Sequence, residues 1–325
     1  MQPVSRIADR KAHHRSASEE RKLINKETDM SYKILVTGAS GQLGRATLLH
    51  LLERRPASQL VGLVRDPGKA PDLADKGIEL RQGDYLDYDS LVRAFADVEK
   101  LLLVSAMAFT DRITSHYNAI TAARQAGVKH IVYTAVARRA DSSFVLPQVT
   151  EPDIFTEQTL KASGVPYTIA AQGPFLDTLG LLIGSAALDH GIRVPAGSEK
   201  IAAVSRSDLG EAQAIILTEA GHENKTYNLN SGAGESFADI ARIISAAQGK
   251  DVQVVPVTDQ QWIDEKTRMG FPEPAAAFFL SWAQAMVSGE FSTASDDLER
   301  LIGRKPTSMQ AYLEAHYRAN GAQQG

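Results

Sequence analysis

Short apolar runs and amphipathic stretches alternate along the first half of this chain. Tyr32, Lys33, Ile34, Leu35 and Val36 form an extended apolar run that ends in the turn Thr37-Gly38-Ala39-Ser40-Gly41-Gln42-Leu43-Gly44. Leu43, Ala46, Leu48, Leu49 and Leu52 then recur at helical spacings. The alternation continues. Residues 59–64 and 78–82 read as strands, and 89–95 as a helix that Asp89 or Ser90 can cap. Residues 100–104, almost wholly Leu and Val, read as a buried strand. A helix over 112–126 stops at Gly127, a strand follows over 130–134, a helix over 152–162 stops at Ser163-Gly164, and a sixth strand covers 167–171. Strands and helices in this order predict an α/β fold with a doubly wound parallel sheet.

The pattern loosens after Gln172. A turn at Gly173-Pro174 leads to a helix over 176–189, short strands over 201–204 and 226–230, a helix over 236–248 and a strand over 252–257. The expected organisation is a nucleotide-binding core over 31–172 and a smaller C-terminal, substrate-side lobe over 173–325 within the same structural domain.

The turn after the first strand carries the first chemical signal. Its spacing is G-x-x-G-x-x-G, in the strand–turn–helix setting that a dinucleotide site requires. Gly38 can take backbone angles closed to other residues. Gly41 lets the main chain approach a pyrophosphate, and Gly44 lets the helix sit close on the sheet. The free N–H groups of that helix would meet the phosphates. Gly38, Ala39, Ser40, Gly41, Gln42, Leu43 and Gly44 are therefore the candidate phosphate-binding residues.

Composition narrows the reading. A formal charge of −4 lacks the basic surplus of a nucleic-acid binder, and the chain has no cysteine, which excludes disulfides and thiolate chemistry. The most apolar stretch, 275–287, is short and interrupted by Ser281 and Gln284, so no membrane span is expected and a cytoplasmic location is. Residues 1–30 mix both charge signs and lack the apolar run of a secretory signal. They read as a disordered leader, or as sequence upstream of a natural start at Met30. The eight histidines have no ligand spacing, and no metal site is expected.

TGASGQLG, LVRDP, GDYLD, VEKLLLVSA, AGVKHIVYTA, SRSDLGEAQA and DLERLIGRKPTS follow one another in order. Together they resemble the NmrA-like group of atypical short-chain dehydrogenases, most closely its bacterial NADPH:quinone oxidoreductases and triphenylmethane reductases. The resemblance covers roughly residues 31–315. It implies an NADPH site, and the residues agree. Where an NAD-selective domain places an acid for the ribose 2′-hydroxyl, this chain has Arg65, with Lys69 close behind. A guanidinium there can hold a 2′-phosphate, although Asp66 sits beside it. Asp84 is similar to the family position that meets adenine, and Ser105 and Ala106 are expected to line the cofactor through their backbone.

The catalytic half departs from the usual pattern. No tyrosine from Tyr32 to Tyr317 has lysine four residues on, so the proton-donating Tyr-x-x-x-Lys pair is missing. Thr134 stands near the usual serine, and Lys161 lies one helical turn beyond Gln158, where many relatives carry lysine. These two are the candidate proton donors, each with an alternative as packing or solvated surface. Gln172 and Phe175 are candidates for the acceptor side, or simply pack their loop. The resemblance implies an oxidoreductase passing hydride to a small flat acceptor such as a quinone, with homodimerisation plausible for the fold class. The alternative is a non-catalytic NADP sensor of the kind for which the group is named. An epimerase or dehydratase is the weaker third reading, because the tyrosine is absent.

Overall fold

The computed structural model of the protein describes residues 32–184 and 186–321, so the stretch read as a leader lies outside the described residues. Strands β1 (Lys33–Val36), β2 (Leu60–Val64), β3 (Glu79–Gln82), β4 (Val98–Leu103), β5 (His130–Val136) and β6 (Tyr167–Gln172) build the main sheet. β7 (Ile192–Val194) lies apart, and β8 (Lys225–Leu229) returns to the main sheet beside β6. The order is 3-2-1-4-5-6-8 and every pairing is parallel. Leu35 of β1 is in register with Val61 on one side and Leu101 on the other. Leu, Val and Ile dominate β1, β2 and the end of β4 because both faces of the sheet are covered there; Leu101, Leu102 and Leu103 have no exposed surface.

Helix α1 (Gln42–Leu52) covers one face. After the short α2 (Pro71–Ala74), helices α3 (Tyr88–Ala94), α4 (Arg112–Ala126) and α5 (Thr150–Ala162) cover the other, around Leu91, Phe95, Ile120, Tyr133 and Leu160. The Asp87 carboxylate caps α3 by accepting from Ser90 N at 3.1 Å, so the helix begins just before the expected start.

A second core is built wholly from residues 146–313. It gathers α6 (Leu176–Ile183), α7 (Ala187–His190), α9 (Phe237–Gln248), α10 (Asp259–Arg268), α11 (Glu273–Val287) and α13 (Met309–Gly321) around the fully buried Trp262. β7 pairs with β9 (Val254–Pro256) in a small parallel sheet. The helix expected over 176–189 breaks at Gly184, whose φ is +79°. Residues 201–204 make only isolated bridges, from Ile201 to Glu235 and from Val204 to Phe175, and are not a strand.

From this half of the chain α8 (Arg206–Thr218) also crosses to the main sheet and packs on α1, while α12 (Asp297–Ile302) sits beside β8. Thr47 donates to Gln213 Oε1 at 2.6 Å inside the α1–α8 interface. The helices approach so closely at Gly210 that a Cβ there would lie 2.8 Å from the backbone carbon of Ala46 and 2.9 Å from Thr47 N. Alanine would gain about 1 kcal/mol of helix propensity. Overpacking against rigid backbone costs about 1–3 kcal/mol and prevails here. Gly210→Ala should therefore lower the urea midpoint; an unchanged or raised midpoint would show that the two helices can separate freely.

Candidate functional site

The winding direction reverses between β1 and β4, so the loops leaving their carboxyl ends diverge and open a crevice. After β1 the chain turns at Gly38, with φ +60°, and Gly41 N bonds back to Gly38 O at 2.9 Å. Gly44 is fixed by close approach: a Cβ there would lie 2.6 Å from Gly38 O. Gly41 caps α1 with no side-chain hydrogen bond, and the first helical bond is Arg45 N to Gly41 O. The N–H groups of the first turn are thus left for an anion. Gly38, Ser40, Gly41 and Gln42 are exposed along this cradle. Ala39, Leu43 and Gly44 are buried, and Ala39 N is bonded to Leu63 O. Ala39 thereby ties the loop to β2.

At the far end of β2, Arg65 is exposed and its guanidinium has no partner among the described residues; Lys69 is exposed beside it. Asp66, its acidic neighbour, is spent on the turn, where its carboxylate accepts from Gly68 N at 3.0 Å. Gln82 Nε2 holds the Arg65 carbonyl at 3.1 Å. Asp84 is half-buried and accepts from Leu86 N at 2.9 Å, which makes one of its oxygens part of a turn.

The floor of the crevice is tied by a tyrosine that sequence reasoning passed over. The Tyr85 hydroxyl lies 2.5 Å from Thr37 Oγ1 and 2.6 Å from Val104 O, joining the ends of β1 and β4. Burial pushes its pKa well above the ordinary phenol value, so it stays protonated. Thr37 completes the tie, donating to Leu102 O at 3.0 Å and accepting from Val104 N at 2.8 Å.

Beyond Val104 the backbone is bonded within the protein. Ser105 N donates to Thr134 Oγ1 at 2.9 Å, and Ala106 N donates to His116 Nε2 at 2.8 Å. The Ala106 carbonyl accepts from Arg112. Both N–H groups are therefore committed inside the protein, while the two residues remain half-buried beside the crevice. Thr134 is 2% exposed and holds the Ser105 amide. Its oxygen accepts that amide and lies 3.4 Å from Ser105 Oγ, so the hydroxyl braces the loop after β4.

Because His116 Nε2 accepts, its proton sits on Nδ1, which donates to Thr156 Oγ1 at 2.8 Å. Arg112 pairs with Asp153 at 2.5 Å, and Tyr133 donates to the same carboxylate oxygen at 2.7 Å. The second oxygen takes Val136 N at 2.9 Å. Tyr133 lies on β5 near the crevice, but burial, reinforced by Asp153, raises its pKa and keeps its proton in place. The whole cluster is buried and joins the ends of β4 and β5 to α4 and α5.

Gln172 closes β6, 4% exposed; its amide nitrogen has no partner among the described residues. Phe175 is half-buried, with the Arg206 guanidinium 4.2 Å above its ring and Asp177 pairing Arg206. Lys161 is exposed in the last turn of α5, which runs toward the amino end of β6, away from the crevice. Glu157, one turn earlier, pairs with Arg138 at 2.7 Å. The helix direction removes Lys161 from the site and corrects its candidacy.

A cavity of about 470 Å³ is lined by Asn230, just past the end of β8, and Glu299, and one of about 440 Å³ lies between Leu182, Arg193 and Lys266. Among the described residues no cluster of three or more His, Asp or Glu is placed to hold a metal, and no helix is long and apolar enough to cross a membrane.

A doubly wound parallel sheet with an uncapped glycine cradle at its switch point defines the Rossmann-type dinucleotide-binding class. Residues 30–314 match the NmrA-like family, and the chain belongs to it. It is 35% identical over 277 residues to quinone oxidoreductase 2 of Escherichia coli, covering 85% of this chain and 96% of that protein. It is 28% identical over 291 residues to the NAD(P)H azoreductase of Xenophilus azovorans, covering 89% and 99%. The triphenylmethane reductase of Citrobacter sp., solved with NADP(H), superposes with a TM-score of 0.82 at 39% identity, over 87% of this chain and 99% of that one. The E. coli quinone oxidoreductase 2, solved with NADPH, also gives 0.82, over 87% and 99%.

Burial lowers the His116 pKa to about 3 and the His130 pKa to about 4. Between these values and the ordinary 6.5, the unfolded chain binds protons that the folded chain refuses. Stability should be full above pH ~6.5 and fall as the pH drops, by about 1.4 kcal/mol per pH unit per histidine. His116→Gln should flatten the fall in urea stability between pH 6 and 4.5 by about that slope. An unchanged slope would mean that His116 is protonated in the native fold.

Proposed function

We propose that this chain is an NADPH-dependent oxidoreductase acting on a small, flat, conjugated acceptor of the quinone or dye type. The observation that carries the reading is the uncapped glycine turn of α1, with the Arg65 guanidinium, unpartnered among the described residues, beyond it. Both features suit NADPH: exposed Gly38, Ser40, Gly41 and Gln42 for the pyrophosphate, and Arg65 with Lys69 for the 2′-phosphate. When bound, NADPH supplies a hydride that, with one proton from water, reduces a quinone to its hydroquinone and leaves NADP⁺.

The protein's own part is binding and orientation. Tyr85 and Thr37 fix the floor, while Thr134, His116 and Arg112 hold the loop after β4. Tyr133 gives its proton to Asp153, the Thr134 hydroxyl is aimed at Ser105, and Lys161 lies in the last turn of α5, at the end remote from the crevice. The site therefore suits acceptors that need no protein acid, and Gln172 and Phe175 stand on its acceptor side. The quinone, azo-dye and triphenylmethane reductases among its relatives support the same class of acceptor.

Steady-state NADPH oxidation with a quinone panel tests the reading. Turnover should appear with NADPH, and NADPH deuterated at the transferred position should slow it or label the product. A charged hydrogen bond contributes about 1.5–3 kcal/mol, so Arg65→Ala should weaken NADPH roughly ten- to a hundredfold and leave NADH nearly unchanged. Equal losses for both would refute the 2′-phosphate assignment. Tight NADPH binding without turnover of any acceptor would favour a sensor.

A further inference from the structure

Beside the crevice runs a ladder of aromatic rings that none of the preceding roles uses. Phe109, in the loop after β4, packs edge-on against Phe278 of α11, with centroids 5.1 Å apart. Phe278 meets Trp282 at 6.4 Å, one turn along the helix. Trp282 in turn stacks on Phe291 at 5.5 Å and 10°. The two ends of the ladder are placed by the sheet. Phe109 follows the carboxyl end of β4, and Phe291 lines a small hollow with Ala137 and Gly173 beyond the ends of β5 and β6. The rings thus span the acceptor side of the crevice.

The free end of the ladder is held open at a conformational cost. Phe109 is 54% exposed and Met107, two residues before it, 77%. Phe109 has φ +66° and Gln148 φ +62°, a region that side-chain-bearing residues rarely adopt. One hydrogen bond, Phe109 N to Gln148 Oε1 at 2.7 Å, joins these two residues. Strain of this kind persists where the surroundings impose it and collects at ligand clamps. Here it presents an apolar ring to solvent beside a site for flat molecules, where a hidden ring would pack better.

We propose that Phe109 and Phe278 form a specificity-determining wall that selects acceptors with two or three fused aromatic rings over single-ring quinones. The inference rests on the reductase reading above and adds the size class of acceptor. A fused system can lie along two rungs at once, whereas a single ring covers one. Offset or edge-on contacts of this kind each add about 0.5–1.5 kcal/mol beyond area burial, which converts to a preference of several-fold per rung.

Trp282 supplies a readout independent of turnover, since the chain has two tryptophans and the other, Trp262, is fully buried in the second core. With NADP⁺ present, 9,10-phenanthrenequinone should quench Trp282 emission, and most of the quenching should vanish in Trp282→Phe. Phe109→Ala and Phe278→Ala should each raise its apparent Kd about five- to tenfold and that of 1,4-benzoquinone less than twofold. Phe109→Tyr and Phe278→Tyr should stay within twofold of the parent. In turnover, the alanine variants should raise KM for phenanthrenequinone by the same factor with kcat within twofold. Equal weakening of both quinones, no weakening, or quenching that survives Trp282→Phe would overturn the wall. Selective binding without any turnover would keep the wall and remove the reductase reading; turnover without ring-size selectivity would do the reverse.

Discussion

Asp153 has no exposed surface, and its two carboxylate oxygens receive Arg112, Tyr133 and the backbone N–H of Val136. Through Arg112 the carboxylate reaches the Ala106 carbonyl after β4, and through Val136 it holds the end of β5. An ordinary hydrogen bond nets about 1 kcal/mol, while removing one partner of a buried charge pair costs about 3–5. The large term thus sits where the loops of the crevice must be held. His116, bonded to Ala106 N and Thr156, fixes the same loop from the other side as a neutral imidazole. The positive charge of Arg112 beside it is one reason it stays neutral.

This arrangement also engages the hydroxyl groups nearest the crevice. A phenol and a hydroxyl stand on β5, yet Tyr133 gives its proton to Asp153 and Thr134 receives the Ser105 amide. Positional rigidity and proton donation compete for the same side chains. In this chain Tyr133 and Thr134 are both engaged in holding the loops at the ends of β4 and β5.

Local patterns revealed the sheet and the glycine turn after β1 because each of those signals is contiguous. The apolar runs of β1, β2 and β4 and the glycine spacing of residues 38–44 can be read without knowing what packs on them. The Asp153 cluster could not be read that way. Its partners lie 41, 20 and 17 residues away, and an aspartate within a helix gives no periodic sign of burial. Residues 201–204 have strand composition but lack a neighbouring strand, so only bridges form. Lys161 shows the limit of helical spacing as evidence. One turn from Gln158 places it on a related side, but each turn also advances about 5.4 Å along the axis, here toward the wrong end of the sheet.

The two halves of the chain meet the crevice on different terms. The sheet side is tied by charge-assisted and backbone hydrogen bonds whose geometry admits little variation. The α11 side is built from Phe278, Trp282 and their neighbours, held by ring contacts and dispersion, with Phe109 reaching across from β4. Contacts of that kind tolerate changes in the shape of what they cover, because every aromatic ligand offers a face or an edge. Directional polar ties on the sheet side and an adaptable aromatic surface on the α11 side therefore border the same crevice.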